Sequence, residues 1–566
     1  MTSRIRLVDQ LAGELAREGV RDVFGVGGAN IEDLYDALHR AGLIRAVVAK
    51  HEFSAATMAD GQARATGRIG VVVATSGGGA VNLVPGLAEA YASRVPVLAL
   101  VGQPPAGAAG RGAFQDTSGL AGSFDARELF APVSRFCARV DAPDSLPDLL
   151  ARALAAARTG LRGPAVLLLP KDVQQALVEA RPAPPRPAAP AVLPQQRAQD
   201  RAVALLRGAR RVLVVAGEGV AAAGAKAELA ELARRLGAWV AVTPDAKDVF
   251  DNGDPRFAGV AGVMGHRNVA HCLRRAEVCL LVGTRLPDLA RGGLERELAG
   301  KPVVCIDPEP PFVPGIALRG DLRPTLRAVA DRLDAAPRAV PRQAGPTPLP
   351  DLRDGRGPTS YPEAVAAVAA ALPPDAHVFV DAGNAGAAAI HLLPAPREGR
   401  FVVAVGMGGM GYTFGAGIGA ALATGRRTYV LAGDGAFFMH GMEVHTAVEY
   451  AAPVTFVVFN NNAHAMCATR DEVFLGTRHP GNLFLRSDIA AGVAAMFPAL
   501  DVTGAADGAQ LRRALLRSNA GRGPAFVTLD FDPAETPPFL PFLEGAGHRA
   551  AGSADPTDTK ETVHVA

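Results

Sequence analysis

Cysteine, net charge and long uncharged apolar runs are all scarce in this chain, and each scarcity removes a class of protein. The five cysteines, Cys137, Cys272, Cys279, Cys305 and Cys467, are scattered with no CxxC pair. Neither a disulfide framework nor a zinc site is expected, and the pattern suits the reduced thiols of a cytoplasmic protein. Lys and Arg number 58 against 56 Asp and Glu, a formal net charge of +2. With no basic tract interleaved with aromatics, there is no electrostatic case for a nucleic-acid partner. No stretch reaches the roughly 18 uncharged apolar residues of a membrane span, and the opening MTSRIRLVDQLAGELAREGV reads as an amphipathic helix charged throughout. A cytoplasmic protein without a membrane partner is therefore expected.

Apolar material is ample: 49% of the 566 residues are hydrophobic, enough for three or four domains with separate cores. Two Pro-rich stretches, Arg181 to Pro194 and Pro341 to Pro358, read as stiff linkers. They leave blocks at 1–180, 195–338 and 359–542, followed by a polar, aperiodic tail at 543–566 expected to be disordered or a loose lid. Each block alternates Val/Leu/Ala-rich strands with Ala/Leu/Arg helical patterns, which predicts three α/β domains with doubly wound parallel sheets. The first and third blocks end alike, RGPAVLLLPKD from Arg162 and RGPAFVTLDFD from Arg522. Alone, a Gly-Pro turn before a buried strand is compatible with coincidence.

The densest chemical signal is GDGAFFMHGMEVHTAVEYAAPVTFVVFNNN, from Gly433 to Asn462. Asp434 follows one apolar strand and Asn461 the next, and strands joined by a crossover helix bring their carboxyl ends to one sheet edge. A carboxylate, an amide oxygen and a backbone carbonyl suit Mg2+, which keeps positions open for water and phosphate oxygens. The glycines of Gly433-Asp434-Gly435 let the backbone and its N–H groups approach such a ligand. Far upstream, KHEFSAATMADGQARATG places Glu52 before an Ala-rich helix; an exposed carboxylate mildly stabilising a helix start is the plain alternative for it. The run from Gly406 to Gly411 satisfies G-x-G-x-x-G, with Asp434 at roughly the 20-residue distance of a ribose acid, so a dehydrogenase competes for that block. It leaves the Asn triplet, Glu52 and the terminal echo unexplained. A non-catalytic scaffold relative is a further alternative, against which stands the retention of Glu52, Asp434 and Asn461.

Taken together, Glu52, the loop VGMGGMGYTFGAG and the GDG…NNN run resemble the signatures of thiamine diphosphate (ThDP) enzymes over nearly the whole chain, and TSGGGAVNLVPGLAEAYASRVPVLALVGQPPAGAAGRGAFQDT is similar to the acetohydroxyacid synthase (acetolactate synthase) large subunits. The resemblance implies ThDP and Mg2+ as cofactors. Glu52 would be the acid beside the aminopyrimidine ring, held so that it can share a proton. Met410 would be the wedge between the rings, Gly408 the carbonyl accepting from the amino group, and Gly383 and Asn384 phosphate neighbours. Gly433, Gly435 and Ala436 would complete the diphosphate site. Asp434, Asn461 and the carbonyl of Ala463 would hold the metal. A Met in a Gly-rich turn is otherwise a gap-filler.

Phe114 and Gln115 fall at the synthases' active-site loop, and the His pair of pyruvate-type decarboxylases is missing, since the first block has only His39 and His51. The resemblance thus implies decarboxylation of a 2-oxo acid, pyruvate first, and transfer of the two-carbon unit to an acceptor carbonyl; release of an aldehyde is the alternative. Several positions depart from the synthases: Gly78 in Ser76-Gly77-Gly78-Gly79, a longer SGLAGSFDARELF, Arg135 for a Lys, Arg470 for an acceptor-pocket Trp and Leu289 for a carboxylate-gripping Arg. Arg470 could grip a carboxylate bidentately or simply be solvated at a loop end. FAD in the central block is suggested by AGVMGHRN, GTRLPD and Ile306-Asp307 and weakened by Leu289. The family builds its site from two chains, so a homodimer or homotetramer is implied.

Overall fold

The computed structural model describes residues 4–180, 190–349 and 359–543; most of the first Pro-rich stretch, half of the second and nearly all of the polar tail lie outside them. Three six-stranded sheets, all parallel, take their strands from residues 22–170, 212–318 and 377–530. In the first, the order across the sheet is Arg45–Val48, Asp22–Gly25, Gly70–Ala74, Val97–Gln103, Pro164–Pro170, Phe136–Arg139; in the third it is Phe401–Val403, His377–Val380, Thr428–Gly433, Val454–Asn460, Ala525–Asp530, Asp501–Ala505. Numbered within each domain, both run second, first, third, fourth, sixth, fifth. The two echoing phrases thus supply the same strand of one repeated topology. The middle sheet differs: Phe257–Val260, Trp239–Val242, Val212–Ala216, Val278–Val282, Val303–Ile306, Ile316–Leu318 is the dinucleotide-fold order.

Central strands such as Val97–Gln103 and Val454–Asn460 are buried along their whole length, which is why they read as continuous apolar runs rather than alternating ones. The chain start is more than the expected helix. Arg4–Arg6 forms a short strand antiparallel to Leu177–Glu179 before the helix Leu7–Arg17 begins; three residues are too few to show a period. No helix among the described residues is long and apolar enough to cross a membrane.

Two helices buried on all sides join the outer domains. Glu52–Thr66 packs on Tyr412–Thr424 through glycines, and a Cβ on Gly61 would lie 2.0 Å from the Ala416 oxygen, one on Gly419 2.0 Å from the Met58 oxygen. Only hydrogen at those Cα atoms permits so close a crossing. Around this crossing, Arg64 pairs with Asp60 at 2.7 Å and with Glu89 at 3.4 Å, and the Tyr412 hydroxyl donates to Asp60. Arg400 ties all three domains together. Its guanidinium reaches Glu218 and Asp248 of the middle domain at 2.7 Å each and donates to the Arg64 carbonyl of the first.

Buried neutral histidines make the fold acid-sensitive. His266 and His391 stack across the boundary between the second and third domains, centroids 4.4 Å apart. His391 Nε2 accepts from Leu349 N, so Nδ1 carries the proton and donates to the Met264 carbonyl. Burial holds His266 down to about 3, and His391 and His377 to about 4. An unfolded histidine binds its proton near 6.5. At these three positions the unfolded chain takes up protons that the folded one does not, so their contribution to stability is present above 6.5 and is lost as pH falls toward 4, on the order of a few kcal/mol in sum. The loss of urea midpoint across that window should be smaller in His377→Gln and His391→Gln than in wild type; equal losses would contradict the burial.

Candidate active site

The strand order of the third sheet reverses between His377–Val380 and Thr428–Gly433, which lie parallel side by side, and a doubly wound sheet opens its crevice at the carboxyl ends of such a pair. Asp381 and Gly433-Asp434 emerge there. Val454–Asn460 lies in register on the next strand, with Gly433 opposite Phe459, which brings Asn461 beside Asp434. The amide N–H of Ala463 donates to Asp434 Oδ2 at 3.2 Å and to Asn461 Oδ1 at 3.0 Å, so the two oxygens converge. Asn461 Nδ2 donates to the Tyr361 hydroxyl at 3.2 Å, turning the amide oxygen toward the crevice.

The asparagine triplet divides its labour. Asn460 bonds Asp530 at the end of the adjacent strand, Asn461 faces the crevice, and Asn462 takes a left-handed φ of 51° that turns the chain back. Burial pushes Asp434 up to about 6 although backbone N–H groups of Gly435, Asn461 and Ala463 oppose the rise. Such a carboxylate is a costly anion until a cation meets it. One carboxylate and one amide oxygen, with no group of three or more His, Cys, Asp or Glu side chains placed to hold a metal among the described residues, form a donor set that fits a hard, oxygen-seeking cation completed by ligand oxygens. In this structure the Ala463 N–H, rather than its carbonyl, is the group on both oxygens.

The remaining residues named for this half of the site surround the same crevice. Gly383 has φ 101° and starts the helix Asn384–Leu392, and neither it nor Gly433 has any atom within 4 Å of a built Cβ, so their backbones border open space. Asn384 Oδ1 is buried without a hydrogen-bond partner among the described residues. Met410 Cε and His464 Nδ1 lie 3.1 and 3.0 Å from where a Gly435 Cβ would be, which seats Met410 over the metal loop. Gly408, at φ 65°, is open on its Cβ side. Ala436 is in the core, so only its backbone can serve a ligand. Sequence reasoning missed His464 and Tyr361: two alanines flank the first, and the second shows in sequence only as the start of a helix.

Glu52 opens the helix Glu52–Thr66 in the first domain. Its Oε2 accepts from Asn82 Nδ2 at 3.0 Å, and its Oε1 lies 3.0 Å from where a Gly79 Cβ would be. The carboxylate is therefore half-buried and held, unlike a solvated helix-start acid. Thr75 flanks the same Gly79 and donates to Gln115 Oε1 at 3.1 Å. Gln115 itself has φ 58°, with Gly77 packed on its side chain. Glu52 and Gln115, 63 positions apart, thus border one small loop, and Phe114 beside them is 75% exposed. His51 does not enlarge this group, since its Nδ1 caps the helix by accepting from Phe53 N, and His39 is exposed on another helix.

Arg470 ends the helix Ala465–Arg470 just beyond the metal loop, where a single π turn, Asp471–Leu475, follows. Its Nε is buried with no partner among the described residues. The Gly406–Gly411 run is placed against the dinucleotide reading: the strand before it, Phe401–Val403, is the sheet edge and not the reversal point. A cavity of about 710 Å³ instead opens between the first and middle domains, lined by Gly283, Thr284, Leu289 and Asp307 among others. Asp307 closes the strand Val303–Ile306. One of its oxygens accepts from Arg94 at 2.9 Å while Oδ2 is buried without a partner, a position suited to a ribose hydroxyl.

Residues 5–121 match the N-terminal TPP-binding domain of thiamine pyrophosphate enzymes, residues 199–329 their central domain and residues 381–529 their C-terminal TPP-binding domain. The chain is 31% identical over 510 residues to an acetolactate synthase of Arthrospira platensis, covering 85% of each, and 29% identical to the acetolactate synthase isozyme 1 large subunit of Escherichia coli (strain K12), covering 84% of this chain and 86% of that one. It is also 32% identical over 79% of its length to a Pseudomonas aeruginosa protein named "Probable 2-ketoarginine decarboxylase", of which the match covers 81%. An X-ray structure from Mycobacterium smegmatis, named for thiamin diphosphate dependence, superimposes with a TM-score of 0.80 at 23% identity, covering 93% of this chain and 99% of that one.

Proposed function

Because this chain belongs to the thiamine pyrophosphate enzyme family, we propose that it is a carboligase that decarboxylates a 2-oxo acid, pyruvate first, and transfers the remaining acyl-anion equivalent to an acceptor carbonyl. In this reading 1–180 is the pyrimidine-binding domain, 195–338 the central domain and 359–542 the diphosphate-binding domain, in a cytoplasmic enzyme. ThDP, when bound, supplies the carbon that takes up the oxo acid and stores the electron pair left by CO2. Asp434 and Asn461, with Ala463, would hold Mg2+ against its diphosphate, and Gly383, Asn384, Gly433, Gly435 and Ala436 would present backbone or amide groups to the phosphates. Met410 would keep the two rings apart, Gly408 would accept from the amino group and Glu52 would hold a proton at the pyrimidine nitrogen.

The observation that carries ligation over aldehyde release is the group the first domain sets beside Glu52. It is the Gln115 amide, which hydrogen-bonds without a titratable proton, so the stored electron pair is left for a second carbonyl. Incubation with ThDP, Mg2+, pyruvate and a panel of 2-oxo acids and aldehydes, followed by mass analysis, tests this. An adduct two carbons larger than the acceptor supports ligation; acetaldehyde alone would return the decarboxylase reading, which the 2-ketoarginine decarboxylase relative keeps in view.

Arg470, with its buried unpaired Nε, would grip the carboxylate of donor or acceptor. Arg470→Ala is expected to lower kcat/KM for charged acceptors about ten-fold to a hundred-fold more than for neutral ones. An equal loss on both would remove the case for recognition. FAD fits the cleft as far as its volume and Asp307 go, and a yellow purified protein would establish it. We place the working site between two chains, at least a homodimer. Glu52→Gln and Asp434→Ala chains, each inactive alone, should then regain about a quarter of wild-type activity when co-assembled, because one hybrid site is intact. No recovery would place the whole site in a single chain.

A further inference from the structure

The loop carrying Met410 is gripped at its far end by its own domain. Asp381, at the close of His377–Val380, accepts from Gly411 N at 3.0 Å, from Thr413 N at 3.2 Å and from the Thr413 hydroxyl at 2.6 Å. Its near end is held from elsewhere. Glu89, on the helix Val84–Ala92 of the first domain, accepts from Met407 N at 2.6 Å through Oε2 and from Gly406 N at 3.2 Å through Oε1. The Ser93 hydroxyl orients Oε1 at 2.7 Å, and Arg64 balances the charge at 3.4 Å. Glu89 is 3% exposed, and a charge-assisted bond in so dry a place is strong.

Between the two grips lie only Gly408, Gly409 and Met410. Beneath them is an apolar cavity of about 240 Å³ lined by Phe53, Pro85, Ala88, Glu89, Gly409 and others. The loop therefore has room to sink inward, and its glycines offer little resistance. We propose that Glu89 is a positioning residue: a buried carboxylate of the pyrimidine domain that holds the Gly406–Met410 loop in the cofactor-receiving pose before the cofactor arrives. The proposal rests on the ThDP reading for what the loop receives, but the grip itself is a property of the cofactor-free chain. Glu89 reaches no reacting atom in this role; it acts through Met410 and Gly408.

Glu89→Gln keeps the shape but leaves one acceptor oxygen for two N–H donors and removes the charge. In the cofactor-free protein, amide hydrogen exchange at Gly406 and Met407 should accelerate about ten-fold to a hundred-fold, while Gly411, held by Asp381, keeps its wild-type rate. ThDP binding by calorimetry in the presence of Mg2+ should weaken by a similar factor, seen as a raised KM for ThDP with kcat at saturation reduced less. Ser93→Ala, which loosens the carboxylate without removing it, should shift both readouts the same way by a smaller factor and serves if the first variant folds poorly. Unchanged exchange at Gly406 and Met407 in the variants overturns the grip, as does general acceleration that includes Gly411. Wild-type protein that binds no ThDP overturns the cofactor reading instead, and the exchange measurement still decides the role of Glu89.

Discussion

Asp434→Ala is expected to abolish turnover, because it removes the carboxylate that converges with the Asn461 amide oxygen on Ala463. Without it a cation would retain only neutral protein groups, the Asn461 amide oxygen and the Ala463 backbone, beside the ligand's phosphates, too weak a set to hold a hard divalent ion. ThDP affinity in Mg2+ should fall at least about a hundred-fold, and the rise in thermal midpoint that ThDP and Mg2+ together produce should vanish. The cofactor-free variant should melt close to wild type, since Asp434 accepts chiefly from backbone groups at a helix start, and a buried carboxylate without a cation gives the fold little. Scanning fluorimetry with and without ThDP and Mg2+ separates the two quantities. A variant stabilised by the cofactor as well as wild type would move the metal away from Asp434.

Glu52→Gln is expected to divide catalysis from binding. The amide can still accept from Asn82 and pack beside Gly79, so the pocket keeps its shape and ThDP affinity should change less than about ten-fold. What is lost is a group that can hold and release a proton at the pyrimidine ring, and kcat should fall about 10²- to 10⁴-fold. Steady-state rates at saturating ThDP, set beside calorimetric affinities, make the comparison. If kcat is unchanged and the only effect is a stability loss of about 0.3–1 kcal/mol, Glu52 is a helix-start carboxylate and nothing more.

Much of this was legible in the chain itself. Alternating apolar strands and helical runs predicted three parallel α/β sheets, because strands buried on both faces must be apolar throughout and crossover helices must separate them. Asp434 and Asn461 could be paired from sequence since both directly follow long apolar strands, and parallel register then leaves one edge for both. The repeated RGPA phrase, compatible with coincidence when taken alone, opens the same strand of one repeated topology in the structure.

Local sequence could not reveal groups whose role depends on a partner hundreds of residues away. Tyr361 aims Asn461 from the start of another helix, His464 meets the metal loop from between two alanines, and Glu89 sits in an Ala-rich helix where no neighbour marks it out. Spacing and composition determined the domain class, the sheet edge and the residue types able to hold a metal and a phosphate, because these follow from period and from the chemistry of single side chains. Which oxygen faces which N–H was decided only when the glycine-lined helices 52–66 and 412–424 crossed at backbone contact, since hydrogen bonds demand positions that only packing across domains can set.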